Sequence, residues 1–183
     1  MAYTRDSIPD LTGLTAVVTG ANGGLGLETA KALAAKGAHV VMAARNQDKA
    51  ARAADEIRAE SPRASLEVVP LNLASLASVR AAAERVMSAQ PRVDILVNNA
   101  GVMAMPVRRT EDGFEMQLGV NHLGHWALAA LLMPVLLTAP AARVVSVTST
   151  AHTSGALPTR PIRTCAAATS CGLAYGQSKL ACD

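Results

Sequence analysis

The sequence predicts an α/β fold in which helices cover both faces of a doubly wound parallel sheet. Short apolar runs alternate with longer segments of helical pattern, which is typical of βαβ units. Each short run is continuously apolar, as expected for strands buried on both faces. Half of the 183 residues are hydrophobic but only one Phe, one Trp and two Tyr occur, so Ala, Val, Leu and Met must fill the core. Right-handed crossovers then give the strand order 3-2-1-4-5.

Five strands and five helical segments follow from this alternation. The predicted strands are residues 15–19, 39–43, 65–70, 94–98 and 143–148. The predicted helices are residues 24–36, 48–60, 75–90 and 114–137, and a last one begins at residue 175. Gly37 suits the end of the first helix because glycine tolerates positive φ. Ser61-Pro62 ends the second, and Pro91 follows the third.

Charge and hydropathy exclude several classes of protein. The net charge is +3, but clustered Lys and Arg with interleaved aromatic residues, which nucleic-acid binding requires, are absent. Arg108-Arg109 and Arg160 to Arg163 are interpreted as solvated loops. The longest apolar stretch, 126–137, contains Pro134 and is too short to span a bilayer. The polar residues 1–9 lack a signal-peptide pattern. These features predict a cytoplasmic protein without a membrane span or nucleic-acid partner.

Cysteine usage indicates neither a disulfide framework nor a metal site. Cys165, Cys171 and Cys182 are odd in number and lie near the end of the sequence. Their spacing differs from that of zinc ribbons, and no His pair accompanies them. They are interpreted as free thiols in a reducing compartment.

A glycine-rich segment joins the first predicted strand to the first helix. Gly20, Gly24 and Gly26 give the pattern T-G-x-x-x-G-x-G, with Asn22 and Leu25 between them. Glycine lets a ligand approach the backbone, and a helix N-terminus favours an anion such as pyrophosphate. A simple structural turn is the alternative. The position between strand and helix favours dinucleotide binding.

The end of the second strand indicates which dinucleotide binds. An NAD site usually offers Asp or Glu there for the ribose 2′-hydroxyl. This chain has Ala43-Ala44-Arg45 instead. Arg45 can pair with a 2′-phosphate, although a solvent-facing arginine is the alternative. The missing carboxylate favours NADP(H) over NAD(H).

Further motifs occur in a fixed order along the chain: Asn98-Asn99-Ala100-Gly101, Asn121 in VNHLGH, Ser149, and Tyr175 with Lys179 in LAYGQSKLA. With the glycine segment, they make residues 11–182 resemble the classical short-chain dehydrogenase/reductase family. VNHLGH, LAYGQSKLA and the long interval from Ser149 to Tyr175 most resemble its retinol-dehydrogenase-like branch. A Tyr-x-x-x-Lys pair alone would be weak evidence for this family.

The resemblance implies a role for each matching catalytic position. Tyr175 would be the acid/base at the substrate oxygen and would also contact the cofactor. Lys179 would favour its ionised form and hold the nicotinamide ribose. Ser149 would donate a hydrogen bond to the carbonyl oxygen, and Asn121 would anchor a water that links Lys179 to solvent. The flanking residues Thr148, His122 and His125 are interpreted as structural.

The resemblance also implies cofactor contacts outside the glycine segment. The motif Asn98 to Gly101 would support the sheet and pass under the adenosine side, with Asn98, Ala100 and Gly101 as its cofactor contacts, although a plain strand-end turn is the alternative. At 72–73 the family usually has Asp-Leu, whereas this chain has Asn72-Leu73. An amide oxygen can accept from the adenine amino group, but more weakly than a carboxylate. Gly23 replaces the Ser or Thr frequent in this branch.

Family members usually continue well beyond the lysine, whereas this sequence stops at Asp183. We therefore expect residues 1–183 to form a single dinucleotide-binding domain that is incomplete at its C-terminus and lacks the usual sixth and seventh strands. The helix of Tyr175 and Lys179 would be short and marginal. Strand edges and apolar surface would be exposed, and oligomerisation would be impaired.

The predicted function is hydride transfer between NADP(H) and a small-molecule alcohol or carbonyl compound, lipophilic substrates included. The alternative is a catalytically inactive nucleotide-binding remnant or interaction protein, for which we expect weak NADPH binding and negligible turnover. An epimerase or dehydratase of the extended type is a third option, but its glycine spacing would differ.

Overall fold

A five-stranded parallel sheet forms the centre of the computed structural model, which describes residues 4–103, 105–106, 108–155 and 171–182. The strands are β1 (Thr15–Thr19), β2 (His39–Ala44), β3 (Ser65–Pro70), β4 (Ile95–Asn98) and β5 (Arg143–Ser146). They pair in the order β3-β2-β1-β4-β5, and every pairing is parallel. The predicted fold class and strand order are confirmed.

Helices connect the strands and cover the sheet. They are α1 (Gly24–Ala35), α2 (Gln47–Glu60), α3 (Leu76–Ala89), α4 (Met116–Leu118), α5 (Gly124–Leu136) and α6 (Cys171–Leu180). Short 3₁₀ turns occupy Arg5–Ser7 and Thr150–Ser154. Gly37 has a φ of +90° just after α1, as its predicted role at the helix end requires. No helix in the described part of the chain combines the length and the hydropathy needed to cross a membrane.

The two faces of the sheet carry separate apolar clusters because successive strand residues point to opposite sides. Val17 and Val41 belong to the cluster that packs against α3 and α5. Val18 and Val40, their neighbours in sequence, belong to the cluster that packs against α1 and α2. All four side chains are fully buried. This explains the continuously apolar strands.

The edge strand β5 departs from this pattern, since all four of its residues are exposed. It was predicted to reach Thr148 but ends at Ser146. The Val147 amide still donates to the Asn98 carbonyl. The Val147 carbonyl instead accepts from Lys179 Nζ, so the backbone leaves the sheet and enters the cleft described below.

The fourth predicted helix, 114–137, is shorter and interrupted. It begins at Met116, because the Glu115 carboxylate accepts from the Leu118 amide and caps the helix. A π-helical turn, Gly119–Leu123, then separates α4 from α5. A π-turn inside an α-helix often marks a functional position, and this one contains Asn121.

The last described helix spans Cys171–Leu180 and so includes the four residues before the predicted start at Tyr175. Tyr175 and Lys179 both lie within it. Cys182 Sγ lies 3.2 Å from the Ser178 carbonyl of this helix, and its interpretation as a thiol stays a prediction. Cys165 and the loop from Arg160 to Arg163 lie outside the described residues, as does the Cys171 side chain.

Candidate active site

A cleft of about 750 Å³ opens at the carboxyl ends of the parallel strands, a usual ligand position in such folds. Most of the predicted site residues line it: Gly20, Asn22, Leu25, Arg45, Asn72, Leu73, Ala100, Gly101, Ser149, Tyr175 and Lys179. Four predicted residues, Gly24, Gly26, Asn98 and Asn121, are not among its lining residues. The volume is in the range of small-molecule sites.

The first loop requires glycine either because the backbone has a positive φ or because a side chain would overlap neighbouring atoms. Gly20 has a φ of +67°, and a Cβ there would lie 3.0 Å from Ala100 Cα. Gly24 has a φ of +54°. A Cβ at Gly26 would overlap the Gly20 carbonyl and the Asn99 amide. The loop therefore packs against residues 99–100 and leads into the N-terminus of α1, whose free N–H groups suit phosphate.

Thr19, the last residue of β1, anchors this packing. Its Oγ1 accepts hydrogen bonds from the backbone N–H of Asn99 (2.9 Å) and of Ala100 (3.0 Å). The Asn99 side chain in turn donates to the Thr19 carbonyl (2.9 Å). Thr19 was absent from the predicted site, and Asn99 was predicted only as a member of the 98–101 motif, not as a cofactor contact. A small polar residue at the buried end of an otherwise apolar strand was the available signal for Thr19.

Asn99 lines the cleft, whereas its predicted neighbour Asn98 lies beneath it. Asn98 is buried and donates to Ser146 Oγ at 3.5 Å. Its Oδ1 has no hydrogen-bond partner among the described residues. A cofactor contact by Asn98 stays a prediction.

The side chain of Asn72 is held in place at the cleft wall. Its Oδ1 accepts from the Ala74 amide (3.1 Å), and its Nδ2 donates to Glu111 Oε1 (3.4 Å). One lone pair of Oδ1 stays available for a ligand donor such as an adenine amino group. Glu111, an acidic neighbour that the sequence did not reveal, lies behind the amide and outside the cleft lining.

The charge of the cleft is one-sided. Of the described residues that line it, Arg45, Lys49, Arg108 and Lys179 are cationic and none is acidic. Arg45 is exposed and follows β2, with Lys49 on the first turn of α2 beside it. A cleft lined by one sign of charge attracts ligands of the opposite sign.

Ser149, Tyr175 and Lys179 all line the cleft, and the Thr148 hydroxyl donates to the Lys179 carbonyl (3.4 Å), which joins the segment of Ser149 to α6. Tyr175 and Lys179 are four residues apart on α6, and Lys179 Nζ lies 5.9 Å from the centre of the tyrosine ring. Lys179 is only 5% exposed, and its ammonium donates to the Val147 carbonyl at 2.6 Å. Ser149 Oγ accepts from the Ala151 amide (3.2 Å), which leaves its hydrogen for a ligand.

Asn121 is buried and links the segment after β4 to α6. Its Oδ1 accepts from the Val102 amide (2.8 Å), and its Nδ2 donates to the Val102 carbonyl and to Ser178 Oγ, both at 2.9 Å. The strand-end segment that contains Gly101 is thereby fixed to the helix that carries Lys179. The predicted water-anchoring role of Asn121 stays a prediction.

His125 connects this polar cluster to the glycine loop. Its Nδ1 lies 3.0 Å from the Asn121 carbonyl oxygen, and its Nε2 lies 2.9 Å from Thr19 Oγ1. Burial lowers the pKa of His125 to about 4, and the nearby Lys179 charge acts in the same direction. Burial also lowers the pKa of His122. Cys182 Sγ donates to the same Asn121 carbonyl at 3.3 Å.

Comparison with known proteins places these features among one family. The family model for short chain dehydrogenases matches residues 14–160. Human retinol dehydrogenase 12 is 45% identical over 171 residues, which cover 93% of this chain and 54% of that protein. The chain spans about half the length of the curated relatives it matches.

Solved structures agree with this assignment. An uncharacterised protein from Mycobacterium paratuberculosis superimposes with a TM-score of 0.85 at 42% identity, covering 98% of this chain and 62% of that one. The RhlG/NADP active-site complex of Pseudomonas aeruginosa gives a TM-score of 0.73 at 29% identity, covering 94% and 62% respectively.

Proposed function

Because this chain belongs to the short-chain dehydrogenase family, we propose that it transfers a hydride between NADP(H) and an alcohol or carbonyl substrate. The observation that carries the proposal is the cleft itself. The described residues that line it include Gly20 of the glycine loop, four cationic and no acidic side chains, and Ser149, Tyr175 and Lys179.

The described residues fit a dinucleotide. The positive φ of Gly20 and Gly24 keeps the loop turn open to a phosphate, because no side chain projects there. The N-terminus of α1 and the side chains of Arg45 and Lys49 offer positive charge to phosphate groups. When bound, a nicotinamide dinucleotide supplies or accepts the hydride.

The chain's own residues would handle the proton and the developing charge. The Tyr175 hydroxyl gives a proton to the substrate oxygen in reduction and takes it back in oxidation. The Ser149 hydroxyl donates a hydrogen bond to the same oxygen as negative charge builds on it. Lys179, held by Val147, places a fixed positive charge beside the tyrosine ring.

Preference for NADP(H) over NAD(H) is part of the proposal. The two residues that end β2, Ala43 and Ala44, offer no carboxylate to a ribose 2′-hydroxyl. Arg45 and Lys49 instead supply two cations on that wall of the cleft. The relative from Pseudomonas aeruginosa is an NADP complex, which is consistent with this preference.

The substrate class is proposed to be apolar. Val102, Met103, Met105, Met116 and Val120 line the cleft. Methionine adapts its shape to flexible hydrocarbon ligands. Several relatives are retinol dehydrogenases by name, and a long-chain or isoprenoid alcohol and its aldehyde fit this lining.

Nucleotide binding without turnover is the second candidate. It is favoured by β5, the strand that leads towards Ser149, since all four of its residues are exposed. A hydroxyl placed by an uncovered edge strand is less firmly oriented, and orientation is a large part of catalysis.

One pair of measurements separates the two candidates. NADPH and NADH are titrated into the purified chain by cofactor fluorescence, and NADPH oxidation is then followed with all-trans-retinal and with a short polar aldehyde. The proposal expects tighter binding of NADPH and faster oxidation with retinal. Binding without oxidation would support the second candidate, and no binding of either cofactor would refute both.

A further inference from the structure

The imidazole of His125 is a buried polar group whose role the catalytic assignments leave open. It is 4% exposed and lies between the π-turn and the end of β1. Both of its nitrogens have partners, Asn121 O at 3.0 Å and Thr19 Oγ1 at 2.9 Å. Those partners belong to the two halves of the candidate active site.

The hydrogen bonds determine which nitrogen carries the proton. A carbonyl oxygen only accepts, so the Nδ1 facing Asn121 must donate. Thr19 Oγ1 already accepts two backbone N–H groups, from Asn99 and Ala100, which fills both of its lone pairs. It must therefore donate, and Nε2 at 2.9 Å is a nearer acceptor than the Val97 carbonyl at 3.3 Å.

A protonated ring or the opposite tautomer would break this arrangement. A hydrogen on Nε2 would face a Thr19 oxygen with no free lone pair. A bare Nδ1 would face the Asn121 carbonyl, placing two acceptors 3.0 Å apart. The neutral ring with its hydrogen on Nδ1 is the one state that satisfies every group.

This chain of hydrogen bonds joins two segments that border the site. It runs from the Asn99 and Ala100 amides through Thr19 and His125 to the Asn121 carbonyl. The Asn121 side chain continues it to Ser178, the residue before Lys179. The first end borders the glycine loop, because Gly20 packs on Ala100.

We propose that His125 is a positioning residue. It couples the cofactor loop to Asn121 and, through Asn121, to the helix that carries Lys179. It holds the π-turn that precedes α5 against the end of β1 through a single tautomer. Movement at either end is thereby transmitted to the other. The effect on NADPH affinity rests on the proposed function, whereas the coupling within the protein does not.

Three variants of His125 separate the two ring contacts. His125→Phe retains the ring volume and removes both hydrogen bonds. His125→Gln can supply an acceptor near the position of Nε2, and His125→Asn can supply a donor near that of Nδ1. The matched control is His122→Phe, because His122 is a half-buried histidine of the same π-turn that takes no part in this chain.

The first readout needs no cofactor. In ¹⁵N spectra of the unaltered chain at pH 7, we expect His125 to carry hydrogen on Nδ1 and none on Nε2. By amide hydrogen exchange, His125→Phe should speed exchange at Asn99 and Ala100 about tenfold relative to Val97, which corresponds to the loss of one buried hydrogen bond. His125→Gln should restore most of that protection, and His125→Asn should not.

The second readout is NADPH affinity, measured at a temperature where near-ultraviolet circular dichroism shows each variant folded. His125→Phe should weaken binding several-fold, while His122→Phe should leave it within twofold. Hydrogen on Nε2, or unchanged exchange at Asn99 and Ala100 in all three His125 variants, would overturn the proposal. If the unaltered chain binds no NADPH, the proposed function fails while the exchange data still decide the coupling.

Discussion

The Lys179 ammonium donates a 2.6 Å hydrogen bond to the carbonyl of Val147, joining α6 to the segment that follows β5. The two residues are far apart in sequence, yet this contact sets where the buried charge lies beside Tyr175. A buried lysine needs such a partner, because an unpaired charge in the core is costly. The backbone of the segment after β5 thereby positions the lysine directly, without a bridging side chain.

The glycine loop offers a matched pair of substitutions. Gly26→Ala should destabilise the chain and abolish NADPH binding, because its Cβ would overlap the Gly20 carbonyl and the Asn99 amide. Overpacking of this kind typically costs about 1–3 kcal/mol. Gly23→Ala should change neither property much, because Gly23 has an extended backbone and open space around it. Thermal unfolding and NADPH titration measure the two properties in each variant. Equal losses in Gly26→Ala and Gly23→Ala would contradict the close packing at Gly26.

Arg45→Ala tests cofactor selectivity. The loss of a partly solvated charge pair should weaken NADPH binding about tenfold and leave NADH binding nearly unchanged. Arg52→Ala is the control, since Arg52 is an exposed arginine on α2 outside the cleft lining. Equal losses for both cofactors would make Arg45 a bystander.

The neutral state of His125 predicts a pH-dependent stability. Its pKa falls from 6.5 to about 4 on folding, so the unfolded chain takes up a proton at a higher pH than the folded one. The stability from this residue is complete above pH 6.5 and is lost as the pH falls towards 4, by roughly 3 kcal/mol in total. Between pH 7 and 4.5, the free energy of unfolding measured with denaturant should therefore fall more steeply in the unaltered chain than in His125→Phe. An equal pH dependence in the two proteins would contradict a neutral His125 in the folded chain.

Asn72→Asp would restore the family's usual carboxylate next to Glu111. Since Asn72 Nδ2 lies 3.4 Å from Glu111 Oε1, two carboxylates would then face each other. We expect a loss of about 0.5–1 kcal/mol in the free energy of unfolding at pH 7. Adding Glu111→Gln to the same variant should recover it. No recovery would show that the two side chains do not interact.

Residues with local signatures were predictable. Val17, Val18, Val40 and Val41 lie in continuously apolar runs, and their burial on both faces of the sheet follows from that pattern. Gly20 could be placed because a strand precedes it and a helix follows. The strand order needed only the alternation of elements and the handedness of their connections.

The rest of the site depends on contacts between distant segments. The π-turn could not be recognised from its own residues. It accompanies contacts of Asn121 with Val102 and Ser178, which are distant in sequence. The pairing of Thr19 with His125 joins β1 to α5, and so His125 was interpreted only as structural. No pattern within either segment encodes that contact.

The most direct test of the account compares turnover with binding in Tyr175→Phe. The central claim is that the Tyr175 hydroxyl, beside Lys179, moves the proton at the substrate oxygen. Removing that hydroxyl alone should leave NADPH affinity within about twofold and lower the rate of retinal reduction by roughly 10²–10⁴-fold, the usual contribution of a general acid. A Tyr175→Phe protein that keeps the rate of the unaltered chain would contradict the claim.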